Sequence, residues 1–223
     1  NCPPWQLSAK KIQHDKKKKI LNYEHAWLKL YDVPIMYFPK FFHPDPTVKR
    51  QSGFLMPFFT DSTSVGAGFG LPYYWAISDD KDFTFTPKIY RNENMVLLNE
   101  YRQAFANGFL TLDTSFNNGY KNTSTKKTNG SRSHIFAELD LDLGKHKDYN
   151  SDLSVKVQRT SNDTYFRIHD INTALVDSEN TNLKNEVNYN FSKDNVFLNV
   201  SAYVYEDLRT ENSSRYEHIL PNI

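Results

Sequence analysis

A side-chain period of two, held over as many as nine residues, constrains this chain more than any other feature. Ile135, Ala137, Leu139, Leu141 and Leu143 alternate with Phe136, Glu138, Asp140 and Asp142. Val196, Leu198, Val200, Ala202 and Val204 alternate with Phe197, Asn199, Ser201 and Tyr203, and residues 83–89, 153–158 and 186–191 repeat the pattern. Successive side chains of a strand point to opposite faces, so each run predicts a strand with one apolar and one polar face. Apolar residues at helical spacing over three turns are scarce, and Pro and Asn interrupt throughout. The expected fold class is therefore all-β. Polar turns at 79–81, 91–94 and 192–194 join neighbouring runs as antiparallel hairpins, and a 16-residue polar loop spans 117–132.

Strands of this length, with short turns at one end and long loops at the other, are the pattern of an outer-membrane β-barrel, whose polar face lines a hydrated lumen. A soluble β-sandwich shows the same alternation with its polar face in bulk water, so the pattern alone leaves both open. Aromatic residues make up 15% of the chain. Tyr73, Tyr74, Trp75, Tyr90, Tyr101 and Tyr205, near strand ends, suit interfacial girdles. The net charge of +1 gives no reason to expect a nucleic-acid partner. No run of 18 apolar residues predicts a transmembrane helix. Asn-x-Ser/Thr sequons at Asn122, Asn129, Asn162, Asn190, Asn199 and Asn212 are chance matches in a chain this rich in Asn, Ser and Thr.

The first forty residues read as a separate β-meander. Trp5, Leu7 and Ala9 alternate with polar neighbours, residues 16–19 (KKKK) form a hairpin tip, Ala26, Leu28 and Leu30 continue, Asp32 turns the chain, and Val33, Ile35 and Tyr37 resume. Three prolines, Pro39, Pro44 and Pro46, then predict a stiff connection. His43 beside Asp45 has no further ligand at metal spacing and reads as part of that linker. Beyond it lie two strand-like runs, 53–60 and 65–77, each with a proline in its middle, Pro57 and Pro72. Proline removes a ladder hydrogen bond, so two neighbouring strands broken in this way predict a sheet edge that pairs poorly. Gly66, Gly68 and Gly70 fall at alternate positions of the second run and no helix follows, so they read as flexibility elements and not phosphate ligands. No nucleophile, P-loop or paired-cysteine motif is present, and seven dispersed histidines assemble no catalytic site from sequence, so the chain reads as a non-enzyme with no metal or cofactor. Cys2 is either a buried thiol or half of a disulfide whose partner lies elsewhere.

Several separated segments occur together in one order: PPWQLSA with His14-Asp15, VPIMYFP at 33–39, HPDPTVKRQSGFLMP at 43–57 and LPYYW at 71–75. Across residues 2–103 the chain resembles the outer-membrane lipopolysaccharide-assembly family (LPS-transport protein D, or organic-solvent-tolerance protein). Further on, only the strand pattern and the ending Tyr216-Glu217 with Leu220-Pro221 look similar. The resemblance implies an internal fragment in three parts: the last strands of a periplasmic β-jellyroll (1–42), a proline-rich linker (43–51) and about the first ten strands of a large transmembrane barrel (52–223). It implies lipopolysaccharide transport to the outer leaflet of a Gram-negative outer membrane, with acyl chains carried along Trp5, Leu7, Ala26, Leu28, Leu30, Ile35 and Tyr37. A lateral gate would lie at Pro57, Pro72, Gly66, Gly68 and Gly70, and Lys49 and Arg50 would meet lipid head groups. Cys2 falls in a segment similar to the family's disulfide region. Implied partners are lipopolysaccharide, outer-membrane lipids, the plug lipoprotein LptE and the periplasmic bridge protein LptA. The competing class is a soluble, secreted all-β carbohydrate-binding module; a lipid-hydrolysing barrel enzyme is a third.

Overall fold

The computed structural model describes residues 5–17, 19–45, 47–48, 50–118, 131–144, 148–210 and 213–222. Cys2, Lys18, Pro46, Lys49, the sequons at Asn122, Asn129 and Asn212, and most of the 117–132 loop lie outside them. The chain separates into two compact units, residues 1–51 and 52–223. No helix among the described residues is long and apolar enough to cross a membrane, which says nothing of strands.

The first unit is an antiparallel sheet of β1 (Trp5–Asp15), β2 (Ile20–Leu30) and β3 (Val33–Pro44), in that order. Tyr31 and Asp32 both take positive φ, 46° and 67°. That is the two-residue turn whose twist matches the flanking strands, and it confirms Asp32 as a turn. The expected linker begins later than its prolines suggest. Pro39 and Pro44 lie inside β3, which among the described residues pairs only with β2, and an edge strand tolerates a missing N–H on its free side. His43 is likewise strand, and its Nε2 meets the Tyr23 hydroxyl at 2.8 Å. After β3 the chain is tied back: the Asp45 N–H donates to the Lys19 carbonyl at 2.8 Å, and the Asp45 carboxylate meets His14 Nε2 at 2.6 Å. The same carboxylate accepts the Thr47 N–H and hydroxyl, and these two bonds hold its pKa below the usual value.

The second unit is one antiparallel sheet. Its strands are β4 (Gly53–Phe54), β5 (Phe58–Ser62), β6 (Gly66–Gly70), β7 (Tyr73–Ser78), β8 (Lys81–Tyr90), β9 (Val96–Phe105), β10 (Gly108–Asn117), β11 (Arg132–Asp142), β12 (Asn150–Thr160), β13 (Asn182–Lys193), β14 (Val196–Asp207) and β15 (Tyr216–Asn222). From β8 to β15 each strand pairs with its sequence neighbour. Most are ten to twelve residues long, as the alternation predicts.

The two faces are inverted relative to a water-soluble protein. On the apolar face Ile89 is 54% exposed, Ile135 47% and Val187 49%. On the polar face Lys88, Asp113 and His134 are buried. Scattered exposed hydrophobics are ordinary, but a continuous apolar face left open over a buried polar one is not.

A folded segment covers the polar face, where sequence reasoning expects only a hydrated lumen. Residues 161–181, between β12 and β13, carry the short helix α1 (Tyr165–His169), capped by Asp170 at φ 49°. Tyr165, Phe166, Ile171 and Val176 pack against Val65, Tyr90, Val96, Leu98, Phe136, Leu183 and Leu208. Burial pushes the His169 imidazole down to about pKa 4. A histidine held neutral in this way stabilises the seated segment fully above its ordinary pKa. The contribution falls as pH drops from about 6.5 towards 4, by about 3 kcal/mol at completion. The unfolding temperature of the detergent-solubilised protein is expected to fall between pH 7.5 and 5. A His169→Gln variant should show a flatter profile over that window, and identical profiles would refute the assignment.

Candidate functional site

The first two proline-bearing runs are each split in two. Pro57 separates β4 from β5, and Pro72 separates β6 from β7. β5 pairs with β6 and β4 with β7, so the four pieces are two broken strands side by side. Between the pairs Phe54↔Tyr73 and Phe58↔Gly70, three residues (55–57) face two (71–72), which slips the register by one. β4 and β5 form the sheet edge, with no strand among the described residues on their other side.

A third proline completes the break. Pro87 lies in the middle of β8, which pairs with both β6 and β7. Lys88 faces Gly70 and Phe85 faces Tyr73, so Pro87 stands level with the break. A hydrogen-bonded antiparallel pair normally exchanges two bonds. Here the Leu55 N–H donates to the Pro72 carbonyl at 2.9 Å and the Leu71 N–H to the Pro87 carbonyl at 3.3 Å. Neither proline can return a bond, having no N–H. Two ladder bonds are thus absent at one level across three strands, weakening the edge by about 1–3 kcal/mol in sum. Sequence reasoning missed Pro87, although its signal was present: Pro57, Pro72 and Pro87 recur every fifteen residues.

The glycines differ from the flexible elements expected. Gly66 (φ +74°) makes the turn between the two broken strands. Gly68 and Gly70 are buried beneath neighbours instead. A Cβ on Gly70 would sit 2.3 Å from the Phe58 ring, and one on Gly68 would sit 2.5 Å from Thr60 Oγ1. The bare backbone of β6 therefore seats side chains from β5, and this packing holds the edge where hydrogen bonds are missing.

The covering segment is fastened to the same region. Lys88 Nζ donates to the carbonyls of His169 at 2.9 Å and Asp170 at 2.7 Å, and the Tyr90 hydroxyl donates to the His169 carbonyl. A second attachment is to β10 and β11. Ser115 Oγ lies 2.5 Å from His134 Nδ1 and 2.8 Å from the Tyr165 hydroxyl, His134 Nε2 lies 3.0 Å from Asp113, and Thr173 donates to the same carboxylate. This serine, histidine and aspartate have the connectivity of a catalytic triad. All three are buried, and the serine is engaged by Tyr165 as well as by the histidine. The trio staples the segment to the sheet.

In the first unit the register aligns Leu7 with Leu28, Ala9 with Ala26, and Met36 and Phe38 with Leu28 and Ala26; Trp5 is opposite Leu30. Tyr37 is not among them: it is opposite Trp27, with ring centroids 4.8 Å apart. Ile35 falls at the register shift beside Leu28 and Lys29 and is exposed. Arg50 is exposed.

The family described as LptD protein matches residues 23–223. Similar curated proteins carry the name LPS-assembly protein LptD. That of Shewanella oneidensis is 36% identical over 105 residues, 45% of this chain and 14% of the relative. That of Shewanella denitrificans is 41% identical over 90 residues, 39% of this chain and 12% of the relative. That of Nitrosomonas europaea is 32% identical over 105 residues, again 45% and 14%. The matched stretch covers only 12–14% of the length of these relatives.

The Gly70 packing gives a direct test. Gly70→Ala is expected to destabilise the protein by about 1–3 kcal/mol through overpacking against Phe58. Phe58→Ala in the same chain should recover part of that loss, so the two changes are non-additive in thermal unfolding. Strict additivity would show that Phe58 does not occupy the space over Gly70.

Proposed function

The chain belongs to the LptD protein family, and on that premise we propose that it forms the junction of a lipopolysaccharide exporter in the outer membrane of a Gram-negative bacterium. In this reading residues 1–42 are the end of a periplasmic jellyroll and residues 52–223 the opening strands of a transmembrane barrel. The observation that carries the reading is the row of Pro57, Pro72 and Pro87 across the edge of a sheet whose open face is apolar. A carbohydrate-binding module in water is disfavoured by that same face.

The transport problem is to move an amphiphile with several acyl chains and a charged sugar head. Each CH₂ exposed to water costs about 0.8 kcal/mol, so the chains need a continuous apolar path. Leu7, Ala26 and Leu28 supply part of it in the trough, together with Met36 and Phe38, and Trp5 and Leu30 extend the same paired positions. The head group needs water and polar partners, which the other face of the barrel sheet offers. Asp82 and Arg102 pair there at 2.9 Å, and Lys156 pairs with Glu138. Acyl chains must then leave sideways into the bilayer while the sugar stays inside, which requires a seam between two strands. The proline row lowers the cost of opening it. Phe58 over Gly70 and Thr60 over Gly68 keep it shut at rest. Lys49 and Arg50, just before the seam, would meet lipid phosphates. LptE within the barrel and LptA at the jellyroll are the partners this function calls for, and Cys2 would join the disulfide region of the periplasmic domain.

Restoring the missing donors should stiffen the seam. Pro72→Ala combined with Pro87→Ala is expected to slow delivery of lipopolysaccharide to the cell surface by several-fold while leaving barrel assembly intact. The rate is read by pulse-labelling surface lipopolysaccharide and the assembly by heat-modifiable mobility. Normal delivery in a correctly assembled double variant would refute the seam.

A further inference from the structure

Two adjoining cavities on the apolar face of β12, β14 and β15 are used by neither the seam nor the trough. One is a groove of about 300 Å³ lined by Val155, Val157, Val187, Ala202, Val204 and His218. Val155 is opposite Val187 and Val187 opposite Ala202, so the small Ala202 side chain makes the dip beside the valines. The other is a polar notch of about 410 Å³ lined by Ser133, Arg159, Ser161, Glu206, Arg215 and Tyr216, among others. Val157 and Arg159, Val204 and Glu206, and His218 and Tyr216 each stand two residues apart on one strand, about 7 Å along one face. The notch therefore continues the groove along three strands.

The notch exists because β12 and β13 stop pairing after Lys156 and Glu186. Beyond that point side chains bridge the gap: the Gln158 N–H donates to Asn185 Oδ1 at 2.8 Å and the Lys184 N–H to Gln158 Oε1 at 2.8 Å. Buried Arg215 fixes one wall, its Nε donating to Glu206 at 2.6 Å and its Nη2 to Asp163 at 2.6 Å. The Tyr216 hydroxyl donates to the same Glu206 carboxylate at 3.2 Å. Ser161 Oγ accepts the Ser133 N–H at 2.9 Å, which leaves its own hydroxyl hydrogen to donate. Arg159, opposite Ile135, is exposed, and no ion pair joins it to a carboxylate among the described residues. A cationic polar head site thus adjoins an apolar slot, which is the layout of a single amphiphile.

We propose that notch and groove together hold one lipopolysaccharide molecule on the outside of the barrel wall, a phosphate of its head at Arg159 and an acyl chain over Ala202. The inference rests on the barrel reading above. In that reading the connections at the notch end, 161–181 and 208–215, are the long outward loops, while two-residue turns such as 194–195 lie at the periplasmic end. The notch then stands at the level of the outer-leaflet head groups and the groove at the level of their chains. The guanidinium fork takes phosphate oxygens bidentately, and the serine hydroxyl suits a sugar. β8 to β11 lie between this site and the broken edge, so it receives lipid already in the leaflet and not lipid crossing the seam.

Native mass spectrometry of the detergent-solubilised full-length protein, titrated with bisphosphorylated lipid A, tests this. Arg159→Gln should lower occupancy of one retained lipid A at least five-fold, and Ala202→Phe, which fills the groove, should do the same. Arg159→Lys should keep more than half of it. Dephosphorylated lipid A should bind the unaltered protein at least five-fold more weakly. Heat-modifiable mobility identifies the assembled variants, and only these are compared. Equal lipid A occupancy in assembled Arg159→Gln and the unaltered protein overturns the inference. Phosphatidylglycerol retained in preference to lipid A, and lost in Arg159→Gln, also overturns it, by assigning the site to a glycerophospholipid. A full-length protein with no heat-modifiable form and no retained lipid of any kind refutes the barrel reading itself.

Discussion

A proline in a β-strand has no N–H to give, and the organisation of the second unit follows from where three of them stand. Pro57, Pro72 and Pro87 lie level across three adjacent strands at the sheet edge. Leu55 and Leu71 each donate a bond that proline cannot return. An isolated proline would be an ordinary edge device against aggregation. A row of them puts the missing bonds of neighbouring ladders at one level of the edge, while the ladders of β9 to β15 are continuous apart from one shift at the far edge. Side-chain packing compensates locally: Phe58 fills the space left by Gly70, and Thr60 that left by Gly68.

The weak edge is coupled to the polar face through β8. The same strand that carries Pro87 carries Lys88 and Tyr90, whose side chains hold the carbonyls ending α1. The segment 161–181 is fixed at its other side by Tyr165, Thr173 and the Ser115–His134–Asp113 trio. β8 therefore joins the broken edge to the covering segment by direct hydrogen bonds. The buried core of the unit belongs to this cover and the polar face beneath it. The open apolar face has no partner within the described residues.

The strands were legible because their period is strict. Residues 135–143 and 196–204 alternate without a break, and all but Leu143 lie in β11 and β14. The broken strands were legible as weak pairs because Pro57 and Pro72 interrupt otherwise good runs. Pro87 was not, since Phe83, Phe85 and Ile89 alternate straight through it and only the register shows it level with the other two. The segment 161–181 escaped for a different reason. Tyr165, Phe166 and Ile171 span too few turns for helical periodicity, and their burial depends on residues as distant as Val65 and Leu208. The first-unit prolines misled in the opposite direction: Pro39 reads as linker but lies in an edge strand, where pairing on one side only makes it harmless.

The most direct measurement is residue-resolved amide exchange of the membrane-embedded protein, comparing residues 54–73 with residues 135–157 at similar depth. Opening along the proline row predicts that Phe58, Phe69 and Gly70 exchange at least ten-fold faster than Ala137, Leu139 and Val155, with Tyr101 and Leu112 as slow as the latter. Equal protection in the two regions would contradict a seam at the proline row.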